Sequence, residues 1–188
     1  GALMQPDVDA GRLGEIDLLL ASGDVMPSGA AVYLPIDVKS HRCTSNLKEG
    51  EGPIGPVHDL NLVDPSVIPG LSPKYREDDC LQLAHYHRLL QAHGHAPADH
   101  PGVPVRAGIL GSERVVAWFE LDIPKFGTVT PQVGKDADSS NNISFHKRQR
   151  STARTALDRY DYEFAFRHRI VAAARVRVDR ATPPPVLP

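Results

Sequence analysis

Cysteine is scarce in this chain, and long apolar runs are missing altogether. Cys43 and Cys80 are the only two cysteines among 188 residues, too few for a disulfide framework, and such usage fits a reducing compartment. No stretch approaches the ~20 consecutive apolar residues that a membrane-spanning helix needs. Residues 1–12 also lack the basic start and apolar run of a secretory leader. These absences predict a cytoplasmic protein with no membrane partner. The remaining composition, 41% hydrophobic and 23% charged with a formal charge of −2, is that of an ordinary soluble protein. The length suits one domain large enough for a real core.

Two short segments near the N-terminus concentrate the chemistry. Residues 33–38 carry the β-branched and aromatic bias of a strand, and period-two alternation sets Asp37 and Lys39 on one face with Ile36 and Val38 on the other. Residues 13–20 predict a second strand, with Glu15 and Asp17 on one face while Ile16 and Leu18 turn to a core. Turn-forming residues between them, Ser22-Gly23-Asp24 and Pro27-Ser28-Gly29, allow the strands to pair as a hairpin across a longish loop. Pairing would gather two or three carboxylates and one lysine at the edge of an apolar sheet. Hard divalent cations take oxygen ligands and need only one or two carboxylates besides water and phosphate oxygens. A metal held there polarises a phosphodiester and acidifies bound water, and a lysine beside it stabilises developing charge. A surface ion pair on adjacent strands would use the same residues and contribute little stability.

A family resemblance rests on these residues and on a helix further along. Asp17 followed by Asp37-x-Lys39 resembles the catalytic signature of the PD-(D/E)XK nucleases. Residues 79–94 resemble the Gln-x-x-x-Tyr helix of the RecB-like branch, here Gln82 and Tyr86, and a strand follows in the expected order. The similarity covers residues 12–122, and the C-terminal third resembles actinobacterial RecB-like proteins less distinctly. The resemblance implies an α/β, restriction-endonuclease-like mixed sheet flanked by helices. It implies that Asp17 and Asp37 bind one or two magnesium or manganese ions, with the Val38 carbonyl and Glu15 as further ligands, and that Lys39 handles the attacking water. Gln82 would orient the substrate phosphate or a metal-bound water, and Tyr86 would contact the backbone of the strand being cut. Some RecB-like proteins hold an iron–sulfur cluster on four cysteines, which two cysteines cannot supply. The helix that opens the family core has no counterpart in residues 1–12, where Pro6 and two aspartates interrupt any periodicity.

The rest of the chain divides by composition. Residues 1–125 read as the nuclease core, interrupted at 40–78 by an insertion rich in glycine and proline that excludes a long helix and reads as a lid or surface insertion beside the cleft. Asp78 or Asp79 is a candidate cap for the next helix and Gly94 a candidate stop, with Leu81, Ala84 and Leu89 facing a core. Gln82 and Tyr86 lie roughly 40° apart around that helix and share a face. Its histidines, with His93, His95 and His100 beyond, form no helical His-x-x-x-His pair and do not argue for a zinc site. Residues 105–110 and 115–121 predict a hairpin with Trp118 against the sheet, and residues 124–142 a loop.

Residues 126–188 read as a linker followed by a basic helical extension packed on the core. Between His146 and Arg180 ten Lys or Arg face four Asp or Glu, a net of +6, so residues 1–145 carry −8. The apolar spacing over 151–176 predicts one long or two shorter helices with an arginine-rich face. A basic face beside an acidic metal cleft suits a polyanion. Arg148, Arg150, Arg154 and Arg159 are therefore candidate DNA contacts, together with Arg42, Lys74 and Arg76. The expected function is a magnesium- or manganese-dependent DNA nuclease, an exonuclease in repair or recombination. A structure-selective endonuclease or junction resolvase of the same fold, and a non-catalytic DNA-binding module, are the alternatives; the intact Asp-x-Lys argues against the latter.

Overall fold

A computed structural model of the chain describes residues 2–7, 11–49, 56–59, 67–97, 105–123, 126–131 and 148–179, with side chains over 11–49, 56–59, 67–97, 105–123 and 154–175. Strand β1 (Ala2–Asp7) pairs antiparallel with β2 (Arg12–Ile16). Residues without sequence periodicity thus form a strand, since pairing draws on backbone groups that every residue except proline offers in full. The single strand expected over 13–20 is two strands meeting at Asp17. Ile16 is fully buried, whereas Leu18 opens β3 (Leu18–Val25) with 38% of its surface exposed, so the alternation slips at Asp17.

Strand β3 folds back onto β4 (Ala31–Val38) as the expected hairpin, but β3 runs on through residues 21–25 of the predicted loop. A short turn closes it: the Met26 N–H donates to the Ala30 carbonyl and the Gly29 N–H to the Met26 carbonyl, both at 2.8 Å. Gly29 has φ +83°, a conformation that glycine adopts without steric penalty. Three short strands come from the glycine- and proline-rich insertion: β5 (Thr44–Asn46), β6 (Val57–Asp59) and β7 (Leu71–Pro73). The described part of that insertion is therefore built into the fold, with Val57 and Cys43 in the core.

Helix α1 (Glu77–Ala92) leads to the predicted hairpin of β8 (Arg106–Leu110) and β9 (Val115–Glu120). Asp78 and Asp79 lie inside the first turn of α1; the cap position is Arg76, in extended conformation. Acidic side chains there still complement the exposed N–H groups of the helix start. The main sheet has five strands in the order β3-β4-β8-β9-β6, parallel only between β4 and β8. Parallel neighbours need a crossover, and α1 lies in the segment that joins them. The protein is thus α/β, with a mixed sheet and two helices among the described residues.

The C-terminal segment departs from its sequence pattern. Phe126–Pro131 forms strand β10 where a loop is expected, and it pairs with β11 (Arg148–Arg154), whose residues enter the predicted basic helix region. Pairing with a second strand overrides a weak helical preference. Helix α2 (Ala156–Asp179) starts where Thr155 can cap it: the Asp158 N–H donates to Thr155 Oγ1 at 2.9 Å. Ala156, Leu157 and Tyr160 enter the same core as Leu83, Ala107 and Phe119, and Arg88 of α1 clamps Asp161 through Nε at 3.1 Å and Nη2 at 2.5 Å. Among the described residues no helix is long and apolar enough to cross a membrane.

Gly14 is the point where β2 presses on α1. A Cβ there would come within 2.8 Å of Leu89 Cδ1 and 3.0 Å of His85 Nε2, and Leu89 is fully buried. Gly14→Ala is expected to lower stability by ~1–3 kcal/mol through overpacking. Urea unfolding measures this, and an unchanged midpoint would show that β2 does not bear on the helix.

Candidate functional site

Strand register assembles the site. Leu18 pairs with Ile36 across the β3–β4 hairpin, so one step further Asp17 comes opposite Asp37, and the Val38 N–H donates to Asp17 Oδ2 at 2.8 Å. Asp17 is exposed and near enough to the Asp37 carboxyl to help raise its pKa. Asp37 itself is 2% exposed, whereas Val38, expected on the core side, is 48% exposed. At Ile36 and Asp37 β4 is covered on both faces, with α1 against the strand, and the cover ends at Val38.

Lys39 and Gln82 organise the polar atoms. The Lys39 ammonium is 2.6 Å from Asp37 Oδ2 and donates to Gln82 Oε1 at 2.6 Å. The Gln82 amide nitrogen then donates to Asp37 Oδ1 at 3.2 Å and to the Tyr86 hydroxyl at 2.6 Å. A cation on the amide oxygen fixes which end of Gln82 faces which partner. Asp37 Oδ2 is buried and held by the ion pair without an aligned hydrogen bond. The Tyr86 ring, expected in the cleft, packs with Ile16, Leu89 and Leu90, and its hydroxyl reaches the polar cluster.

Burial pushes the Asp37 carboxyl up; Lys39 opposes the rise and Asp17 adds to it. Burial pulls the Lys39 ammonium down, but its close pairing with the Asp37 carboxylate outweighs that, and the net direction is up. Burial likewise raises the Tyr86 phenol. The three groups read one another's charge, as expected of a closely packed polar cluster in a cleft.

Two residues join this cluster that motif reasoning does not single out. His41 Nε2 is 2.9 Å from Asp79 Oδ2, and Asp79 is 8% exposed and close enough to favour the Lys39 charge. Their signal lies in the spacing: Asp37, Lys39 and His41 are alternate residues, and Asp79, Gln82 and Tyr86 are i, i+3 and i+7 on a helix. The end of β4 with the loop that follows it, and one face of α1, therefore meet, each with three polar residues.

Other predicted positions are distributed differently. Glu15 is exposed on β2 beyond the slip at Asp17 and does not join the two aspartates; among the described residues no group of three His, Cys, Asp or Glu is gathered to hold a metal. Arg42, Lys74 and Arg76 are exposed, and the Lys74 N–H donates to the Cys43 carbonyl at 2.7 Å, so the first two are neighbours; Arg76 immediately precedes α1, near the Asp79 end of the cluster. Arg148 and Arg150 belong to β11 and not to a helix, and their side chains lie outside the described residues. Arg154, at the end of β11, lies over the Tyr162 ring at 5.4 Å. Arg159 is on α2 but faces Glu163 at 2.6 Å and Glu77 at 3.6 Å, so its charge is already balanced.

Gln82 and Tyr86 also line an open groove of about 960 Å³ between β2, α1 and α2, with Leu13, His85, Phe164 and Arg167 further along. His85 accepts from or donates to the Tyr160 hydroxyl at 2.7 Å and meets the Leu13 carbonyl at 3.1 Å. Burial lowers its pKa first, and the neutral ring suits both contacts if Nε2 donates to the carbonyl.

Lys39→Ala would leave two adjoining carboxylates without their cation and raise the Asp37 pKa further. A folded-state pKa above the unfolded value gives stability that is complete below the unfolded value, ~3.9, and lost as pH rises through the folded one. The variant's loss of thermal midpoint is therefore expected to be larger at pH 8 than at pH 5. Equal losses at the two pH values, by calorimetry, would exclude this electrostatic role.

Comparison with family models, curated proteins and solved structures returns no match, so any family assignment rests on the residues described above.

Proposed function

We propose that the chain is a metal-dependent deoxyribonuclease of the restriction-endonuclease-like, RecB-like kind, hydrolysing phosphodiester bonds as an exonuclease in repair or recombination. The observation that carries the reading is the union of Asp17, Asp37, Lys39, Gln82 and Tyr86, which are distant in sequence, in one hydrogen-bonded cluster. A surface ion pair would not need a helix glutamine to bridge its two members.

The donor set fits magnesium or manganese. Asp37 Oδ2 is buried with Lys39 as its ion-pair partner, the exposed Asp17 holds the Val38 N–H through Oδ2, and the Val38 carbonyl belongs to an exposed residue. Two carboxylates and a carbonyl leave the remaining positions of such an ion to water and phosphate oxygens. When bound, the ion would polarise the phosphodiester and acidify a water. Lys39, held between Asp37 and Gln82, stabilises negative charge that develops on the phosphate, and Gln82 fixes the Lys39 position. Arg42, Lys74 and Arg76 supply a basic rim with no ion-pair partner among the described residues, suited to backbone phosphates. The groove beyond Gln82 gives a strand room to leave or enter.

Asp17→Asn and Asp37→Asn are each expected to lower magnesium- or manganese-dependent cleavage by ~10²-fold or more, because the loss of a ligand falls on the transition state. End-labelled and circular DNA, incubated with either ion or with chelator, measure the rate and separate exonuclease from endonuclease action. Undiminished cleavage by either variant, after removal of contaminating nuclease, would refute the assignment.

Neutralising Arg42, Lys74 and Arg76 is expected to flatten the salt dependence of DNA binding by about 0.7–0.9 log–log units per lost phosphate contact. Binding is measured across a salt series in calcium. Arg159→Ala, by contrast, should leave the slope intact, since Glu77 and Glu163 balance its charge. The reverse pattern would move the DNA path to α2.

A further inference from the structure

The polar cluster contains a second acid–base unit that the proposed set of residues leaves unused. Asp79 is a buried carboxylate on the same face of α1 as Gln82 and Tyr86, and it holds His41 Nε2 at 2.9 Å. A carboxylate only accepts, so Nε2 carries the proton of that bond, and in the neutral ring Nδ1 carries the lone pair. Nδ1 has no hydrogen-bond partner among the described residues, and the His41 side chain is 31% exposed. A buried acid that fixes the tautomer of a half-exposed imidazole is the arrangement of general bases in hydrolytic sites.

The backbone around His41 is held with unusual care for a loop. The Ser112 N–H donates to the His41 carbonyl at 3.1 Å. Just beyond, Glu113 Oε1 accepts from the Cys43 N–H at 3.0 Å, the Thr44 N–H at 2.9 Å and Thr44 Oγ1 at 2.7 Å. A Cβ at Gly111 would collide with Glu113 and Cys43, so the segment is packed against the β8–β9 turn. This clip fixes where the chain after Lys39 goes, and with it the ring of His41.

The cluster also needs a proton acceptor. The Lys39 nitrogen faces two acceptors at 2.6 Å, Asp37 Oδ2 and Gln82 Oε1, so it is arranged to donate protons and not to take one. The Tyr86 hydroxyl is engaged by the Gln82 amide beneath the surface. His41 follows Lys39 by two residues in the loop after β4, and its Nδ1 has no partner among the described residues.

We propose that His41 is the general base of the hydrolysis and that Asp79 is its positioning residue, an inference that rests on the nuclease reading above. In the step, the water oxygen forms a bond to phosphorus and its proton passes to His41 Nδ1. The phosphorus–oxygen bond to the leaving nucleoside breaks, and that oxygen takes a proton from solvent. No electron transfer is involved. Asp79 holds the ring while it is an imidazolium and acts only through it.

The test compares wild type, His41→Ala, His41→Gln and Asp79→Asn on end-labelled DNA with magnesium, with and without added imidazole. General-base removal is expected to lower kcat by ~10²–10⁴-fold with little change in KM. Free imidazole should restore part of the rate to His41→Ala and none to wild type. His41→Gln can still donate to Asp79, so it should keep the thermal midpoint while losing the rate. Asp79→Asn should lower kcat in wild type but add nothing in the His41→Ala background. Full-rate cleavage by the His41 variants, or a loss that imidazole leaves untouched, would overturn the base assignment while the nuclease reading stands. A wild-type protein that cuts no DNA would overturn both.

Discussion

Two carboxylates set opposite each other, one buried and one exposed, repel each other, and the fold tolerates them here because Lys39 stands against the buried one. Asp37 is almost fully buried, its carboxyl pushed up by that burial, with Asp17 adding to the rise and Lys39 opposing it. Much of the local architecture serves this arrangement. The β3–β4 register sets Asp17 opposite Asp37, the Val38 N–H ties down Asp17, and Gln82 holds Lys39 from the helix side. Removing a single member of such a network strands a charge in a low-dielectric site, which is more costly than the pair itself is favourable.

Helix α1 joins this cluster to the rest of the molecule. Its polar stripe of Asp79, Gln82 and Tyr86 faces the strand, while Cys80, Leu83 and Ala84 enter one core and Leu89 and Leu90 the other. The Tyr86 ring belongs to the core and its hydroxyl to the cluster, so packing and polar geometry are coupled through one side chain. On its remaining side α1 is clamped to α2 by Arg88 with Asp161 and by His85 with Tyr160. The orientation of Gln82 is thereby set by three different neighbours.

The charge separation along the sequence takes a specific form in space. The basic C-terminal segment is not one cationic helix face: β11 takes Arg148, Arg150 and Arg154, and Arg159 is neutralised by Glu77 and Glu163. The exposed cations near the polar cluster are those of the insertion and the start of α1, Arg42, Lys74 and Arg76. Electrostatic steering toward a site depends on where charges lie relative to the cleft and not on net charge alone.

The sequence by itself determined the strand alternation that places Asp37 beside Lys39, the helix that carries Gln82 and Tyr86, and the β8–β9 hairpin, because periodicity and turn chemistry are local properties. Local patterns also pointed to a β3–β4 pairing, hence to Asp17 near Asp37. Tertiary structure alone decided the rest. The slip at Asp17 removed Glu15 from the cluster, because β2 pairs with a strand that carries no pattern of its own. Strand pairing over 126–131 and 148–154 overrode a loop and a helix, since backbone partners distant in sequence outweighed weak propensity. His41 and Asp79 entered the site because the loop after β4 and a helix face meet across it, a contact that neither segment encodes by itself.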